Sequence, residues 1–193
     1  MCEKPSITGL THPVCTTRYS IDGCFSGVLY NGVIKKLLYT FKYNPYLSDV
    51  QQFLGNLMYE SLIQNETYMQ IWEMYHPVFV PIPLSFQKLR LRGYNQSELL
   101  ANVFARLQQG RVYTVLERKK STKPQYGLSK PERRENIKGA FAIRTKVKDK
   151  QEEGKYVFLV DDVVTTGSTL VEAANMLKRN GVKNVWGVTF AQD

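Results

Sequence analysis

Apolar positions along the chain fall into two periods. Ile34, Leu37, Leu38 and Phe41 sit at helical spacing, so 33–42 reads as an amphipathic helix. A second helix is expected within 46–64. Leu99, Leu100, Val103, Phe104 and Leu107 mark one face of a third. Short apolar or β-branched runs predict strands over 25–30, 78–82, 112–116, 140–144, 156–161 and 184–190. Between the last two, Leu170, Ala173, Ala174 and Leu177 return to helical spacing, which places a helix over 168–179. Strands alternating with helices imply an α/β fold with a mostly parallel central sheet. Residues 1–24, rich in Cys, Thr, Pro and Gly, show no sustained period and read as a small irregular module ahead of a main domain over 25–193. Residues 84–95 alternate basic and apolar character. Residues 117–138 read as a long basic loop, and 145–154 as an exposed turn.

Within this pattern, residues 157–169 concentrate the chemistry: Val-Phe-Leu-Val-Asp-Asp-Val-Val-Thr-Thr-Gly-Ser-Thr. Val157 to Val160 is too short and too β-branched to favour a helix, and a run apolar on both faces fits a central parallel strand. Ligands in open α/β sheets bind beyond the carboxyl ends of such strands, where Asp161 and Asp162 fall. Thr165, Thr166, Gly167, Ser168 and Thr169 then form a strand-to-helix turn. Amides opening a helix lack partners and carry positive partial charge, so they suit a phosphate, and the hydroxyls add donors. Gly167 lets the backbone approach an anion closely. Read separately, an acidic pair merely ends a strand and a Thr/Ser run merely caps a helix; it is their succession over thirteen residues that points to a sugar phosphate. No Gly-Lys-Ser/Thr follows the turn, which argues against a Walker A loop.

Composition narrows the picture further. The 193 residues are 43% hydrophobic, enough for a substantial core, and no apolar run approaches a membrane span of roughly 18 residues. The sequence shows no secretory h-region and only three cysteines, so a reducing cytoplasm is the expected setting, with no membrane insertion. The formal net charge is +9. Much of it is local: 118–134 holds Arg118, Lys119, Lys120, Lys123, Lys130, Arg133 and Arg134 against Glu132 alone. Such a segment attracts polyanions, a pyrophosphorylated sugar or a nucleic acid, or is simply a solvated loop.

The thirteen-residue run closely resembles the signature of the type I phosphoribosyltransferases, which use 5-phosphoribosyl-1-pyrophosphate (PRPP). Two further stretches resemble the ComF family, phosphoribosyltransferase-like proteins linked to bacterial DNA uptake. Residues 80–96 read Val-Pro-Ile-Pro followed by a basic stretch ending in Arg92, Gly93, Tyr94, Asn95 and Gln96. Gln125, Leu128, Arg133, Asn136, Ala140 and Phe141 match a second pattern. The resemblance covers about 25–190 and implies a type I phosphoribosyltransferase fold, nucleotide metabolism and binding of PRPP. It implies that Asp161 and Asp162 face the ribose 2′ and 3′ hydroxyls, near a hydrated Mg²⁺, since carboxylates are pure acceptors. The turn 165–169 would hold the 5′-phosphate, and the loop after Val80, with Lys88, Arg90 and Arg92, the pyrophosphate. Asp161, Asp162 and Arg92 are the residues expected to act in catalysis. The basic loop 118–134 resembles the hood that closes over PRPP in this superfamily.

ComF-like proteins often begin with a zinc ribbon. Cys2, His12 and Cys15 are the corresponding candidates for Zn²⁺, with Cys24 or a cysteine upstream as a fourth ligand, against the alternative of unrelated side chains. Two functions follow from the resemblance. One is transfer of a phosphoribosyl group to an acceptor the sequence does not name, with release of pyrophosphate. The other is a non-catalytic PRPP sensor, or a factor holding single-stranded DNA or a DNA-uptake helicase, with Tyr94 and Tyr126 as aromatics available for stacking on bases. The sequence sets no oligomeric state.

Overall fold

The computed structural model describes residues 8–43, 48–120, 129–144 and 155–193. Cys2, Lys123, Gln125, Tyr126 and Leu128, and the whole of the turn expected over 145–154, lie outside the described residues. The elements run β1 (Gly23–Leu29), α1 (Gly32–Tyr43), α2 (Ser48–Leu62), α3 (Glu66–Tyr75), β2 (Val78–Pro81), α4 (Phe86–Arg92), α5 (Gln96–Gln108), β3 (Leu116–Arg118), α6 (Lys130–Ile137), β4 (Phe141–Ile143), β5 (Tyr156–Val164), α7 (Ser168–Arg179) and β6 (Asn184–Gln192). A four-stranded sheet has the order β1-β6-β5-β2, and every pairing in it is parallel. β3 and β4 form a separate antiparallel pair. The α/β architecture with a parallel sheet flanked by helices is the one expected.

The alternation along each strand divides the core in two. Phe79, Phe158, Val160, Val188 and Phe190 face one side, where they meet Leu38 and Phe41 of α1, Leu54 and Met58 of α2, Tyr68 of α3 and Leu100 and Phe104 of α5. Val78, Val80, Val157, Leu159 and Val185 face the other, against Leu170, Ala173, Ala174 and Leu177 of α7 and Leu116 and Phe141 of the small pair. Burial on both faces explains why these strands read as continuous apolar runs.

Several elements depart from the sequence reading, each for a local reason. Residues 112–116 do not form a central strand. Val112 makes a single parallel bridge to Phe79, and the chain then leaves for the β3–β4 pair at Leu116. Residues 84–95 contain the short helix α4, stopped by Gly93 in the left-handed region (φ 79°). The expected loop 117–138 contains α6, begun by a capping box in which the Ser129 amide donates to Glu132 Oε2 at 2.7 Å. α3 follows Asn65, whose side chain accepts from the Tyr68 amide at 2.9 Å. Residues 8–22 hold one 3-10 turn (Pro13–Cys15), and Ile21 joins the core. Cys24 falls inside β1.

Two packing features give direct tests. A Cβ on Gly55 of α2 would lie 2.2 Å from Val103 Cγ1 and 2.7 Å from Val103 Cβ on α5, a clash that side-chain rotation alone does not relieve. Gly55→Ala is expected to lower the denaturant-derived stability by about 1–3 kcal/mol, with most of it restored in the Gly55→Ala/Val103→Ala double variant. The Tyr68 hydroxyl is buried with no hydrogen-bond partner among the described residues, and its ring stacks on that of Phe158 (centroids 5.1 Å apart). Tyr68→Phe removes an unpaired polar group at nearly constant shape, so its thermal midpoint is expected to match or exceed that of the parent.

Candidate functional site

The cleft exists because neighbouring parallel strands end at different heights. β2 stops at Pro81, opposite Val160. β5 continues against β6 alone, pairing Asp161 with Thr189 and Val164 with Gln192. The sequence reading ended this strand at Asp161; the pairing with β6 carries it to Val164 and so sets both aspartates within the strand. Where β2 is missing, a cleft of about 660 Å³ opens, floored by Asp161 and Asp162 and walled by Ile82, Pro83 and Leu84.

Each carboxylate has defined partners. Asp161 Oδ1 accepts from the Ser97 hydroxyl and from the Asp162 amide, both at 2.9 Å. Asp162 Oδ2 lies 2.6 Å from Nζ of Lys42, at the end of α1. Burial, and then the neighbouring Asp162 carboxylate, push the Asp161 carboxyl up from 3.8 to about 7, against the Ser97 and amide hydrogen bonds and the Lys42 charge. Burial works against the Lys42 ammonium, yet Asp162 and then Asp161 hold its pKa above the usual lysine value.

Cations gather beside the acids. Lys42, Lys88, Arg92 and Arg118 line the same cleft. Burial depresses the Lys88 pKa, and the charges of Arg118, Arg92 and Lys42 lower it further, a sign of how closely the four approach one another. The Arg-Gly-Tyr-Asn-Gln run explains their placement. Asn95 caps α5 through the Ser97 amide (3.2 Å) and donates to the Ile82 carbonyl (3.0 Å), which ties the α4–α5 turn to the loop after β2. Arg92 donates to Gln96 Oε1 at 3.0 Å, and its guanidinium lies 5.2 Å from the Tyr43 ring centre. The Tyr94 hydroxyl donates to the Phe41 carbonyl, anchoring the end of α1.

The turn after β5 closes the other end of the cleft. Gly167 adopts φ 69° and directly precedes α7. Thr166 and Ser168 share a hydroxyl hydrogen bond of 2.8 Å. Arg133, from α6, donates to the Thr165 hydroxyl at 2.9 Å. A small cavity of about 20 Å³, lined by residues 163–170 together with Asp161, adjoins the main cleft along Thr165 and Thr169.

Thus Asp161, Asp162, Lys88, Arg92, Thr165 and Thr169 line the cleft, while Thr166, Gly167 and Ser168 line the adjoining cavity. Arg90 is exposed on α4 and is not among the residues lining either space. Sequence reasoning did not single out Lys42 or Ser97, which carry no local signal and reach the acids only through packing. Arg118 and Arg133 entered it as members of a basic run and, for Arg133, of a family pattern. His12 precedes the 3-10 turn and Cys15 ends it, and Cys2 lies outside the described residues. Cys24 is set apart from that turn: its Sγ packs against Gly187, and burial pushes its thiol up to about 12. No group of three or more His, Cys, Asp or Glu able to hold a metal ion occurs among the described residues. Among them, too, no helix is long and apolar enough to cross a membrane.

Comparison with known proteins places the fold in a family. The model of the phosphoribosyl transferase domain family matches residues 97–193. Competence protein F of Haemophilus influenzae is 40% identical over 115 residues, 58% of this chain and 49% of that protein. DNA utilization protein YhgH of Escherichia coli K12 is 38% identical over 107 residues, 55% of this chain and 45% of its own length. Competence protein ComFC of Bacillus subtilis is 29% identical over 152 residues, 79% of this chain and 56% of that protein. The chain belongs to the phosphoribosyl transferase domain family. Within that family it is of the ComF type, and it spans about half the length of the curated relatives it matches.

The raised Asp161 pKa has a measurable consequence. The folded chain holds this proton more tightly than the unfolded chain, so stability falls as pH rises from about 4 to about 7. Asp161→Asn keeps an oxygen acceptor for Ser97 and the Asp162 amide but removes the charge. Denaturant titration is expected to show the variant more stable than the parent at pH 8, by on the order of 1–2 kcal/mol, with the difference vanishing near pH 4.

Proposed function

We propose that the cleft binds PRPP and that the protein transfers its phosphoribosyl group to an acceptor, releasing pyrophosphate. The observation that carries this reading is the order of groups along one cleft: an anion-accepting turn, then two carboxylates, then a cluster of cations. That order matches the 5′-phosphate, the 2′,3′-diol and the 1-diphosphate of one molecule. The α7 amides and the hydroxyls of 165–169 hold the monoester, with Arg133 at its rim. Asp161 and Asp162 accept from the diol, and Lys88, Arg92 and Arg118 hold the leaving diphosphate. The transition state is oxocarbenium-like at C1, so the protein acts mainly by positioning and by stabilising charge on the departing group. The two carboxylates, already engaged by Ser97 and Lys42, offer too few oxygens for a resident Mg²⁺. The ion suits this site as part of the ligand, coordinated by diphosphate oxygens. Zinc on Cys2, His12 and Cys15 belongs to the same reading of the family, and elemental analysis of metal-replete protein checks it, with about one zinc per chain expected.

A second reading is a PRPP-binding factor without turnover that acts in DNA uptake. The names of the relatives favour it, as does the surface: Tyr39 and Tyr43 expose rings in tilted contact (centroids 4.8 Å apart, planes 43° apart) on the same helix as Lys35 and Lys36. Calorimetric titration with PRPP and Mg²⁺, followed by a pyrophosphate-release assay against a panel of bases and amines, separates the two. Release supports the transferase; tight binding with no release to any acceptor supports the sensor; absence of binding rejects both. The Asp161→Asn/Asp162→Asn double variant is expected to lose roughly 3 kcal/mol or more of PRPP affinity through impaired pairing of the sugar hydroxyls, and unchanged affinity removes the diol from these residues.

A further inference from the structure

Lys42 occupies the place a ligand needs. Asp161 already accepts from Ser97 and from the Asp162 amide, so Asp162 offers the freer carboxylate for a sugar diol. In the structure that carboxylate is covered by the Lys42 ammonium at 2.6 Å, with the two side chains only 23% and 14% exposed. This is a built contact. Leu38 and Phe41 bury the adjacent turn of α1 in the core, and Tyr94 holds the Phe41 carbonyl. Displacing Lys42 without giving it another anion would strand a half-buried cation beside Lys88, Arg92 and Arg118, which is costly. A ligand carrying a diphosphate at C1 supplies that anion at the same moment as its diol takes Asp162. Ribose 5-phosphate has the same diol and the same monoester but supplies nothing for the released ammonium.

We infer that Lys42 is a specificity-determining residue, which guards Asp162 and yields it only to a sugar whose C1 substituent is anionic. The inference rests on the PRPP reading above and goes beyond it, by assigning the discrimination between PRPP and ribose 5-phosphate to one side chain from α1. Departure of pyrophosphate returns Lys42 to Asp162, so the same contact disfavours rebinding of sugar phosphates that lack a C1 anion.

The test is calorimetric titration of the full chain with PRPP and with ribose 5-phosphate, each with Mg²⁺, in the parent, Lys42→Met, Lys42→Gln and Lys42→Arg, with thermal melts to verify folding. The parent is expected to prefer PRPP. In Lys42→Met the preference should fall at least tenfold: PRPP binds more weakly, and ribose 5-phosphate binds within twofold of the parent or more tightly. Lys42→Arg should keep the preference, and Lys42→Gln supplies the neutral comparison should the Met variant unfold. Equal weakening of both ligands, with the preference intact, overturns the role given to Lys42 while leaving PRPP binding standing. A parent that binds no PRPP overturns both.

Discussion

Asp161 and Asp162 put two carboxylates side by side on the floor of one cleft, an arrangement that raises the free energy of the folded chain unless donors meet it. Ser97 and a backbone amide meet the first, and Lys42 meets the second. These donors come from three places in the sequence: the end of α1, the start of α5 and β5 itself. The sheet, the helix layer above it and the α4–α5 turn are all needed to bring them to one point. The raised Asp161 pKa marks how incompletely burial, and then the neighbouring Asp162 charge, are offset. On the proposed reading, a sugar diol would add donors to carboxylates whose burial is costly, an instance of stability given up for function.

Much of this was legible in the sequence where the signal is local. The strand, acidic pair and turn over 157–169 are consecutive, so backbone geometry alone places the turn at the opening of α7, and the helix expected over 168–179 has those bounds. The parallel architecture followed from strands buried on both faces. The region after Val80 was harder. Phe86–Arg92 has apolar residues at 86, 89 and 91, spacings of three and then two that sustain neither period over seven positions, and the helix is set instead by its cap at Gly93 and by the attachment of Asn95 to Ile82.

Lys42 and Ser97 were not legible at all. Lys42 ends a helix recognised for its apolar face, and nothing in its neighbours distinguishes it from Lys35 or Lys36. Its importance arises from where α1 ends relative to β5, a long-range relation with no short-range trace. Ser97 follows the Asn-Gln pair of a motif and looks like an ordinary first-turn residue. Ser129 and Glu132 did carry a visible helix-start pattern inside the basic segment, but the density of charge there obscured it.

The cleft is divided between the two halves of the chain. The turn over 165–169 and the acids lie within the region matched to the family, 97–193, whereas Lys42, Lys88 and Arg92 precede it. On the proposed reading, anchoring and discrimination are therefore encoded separately. Exchange of the α1 and α4 side chains on this scaffold would then alter which activated sugar is admitted, while the handle by which every such molecule is gripped stays the same.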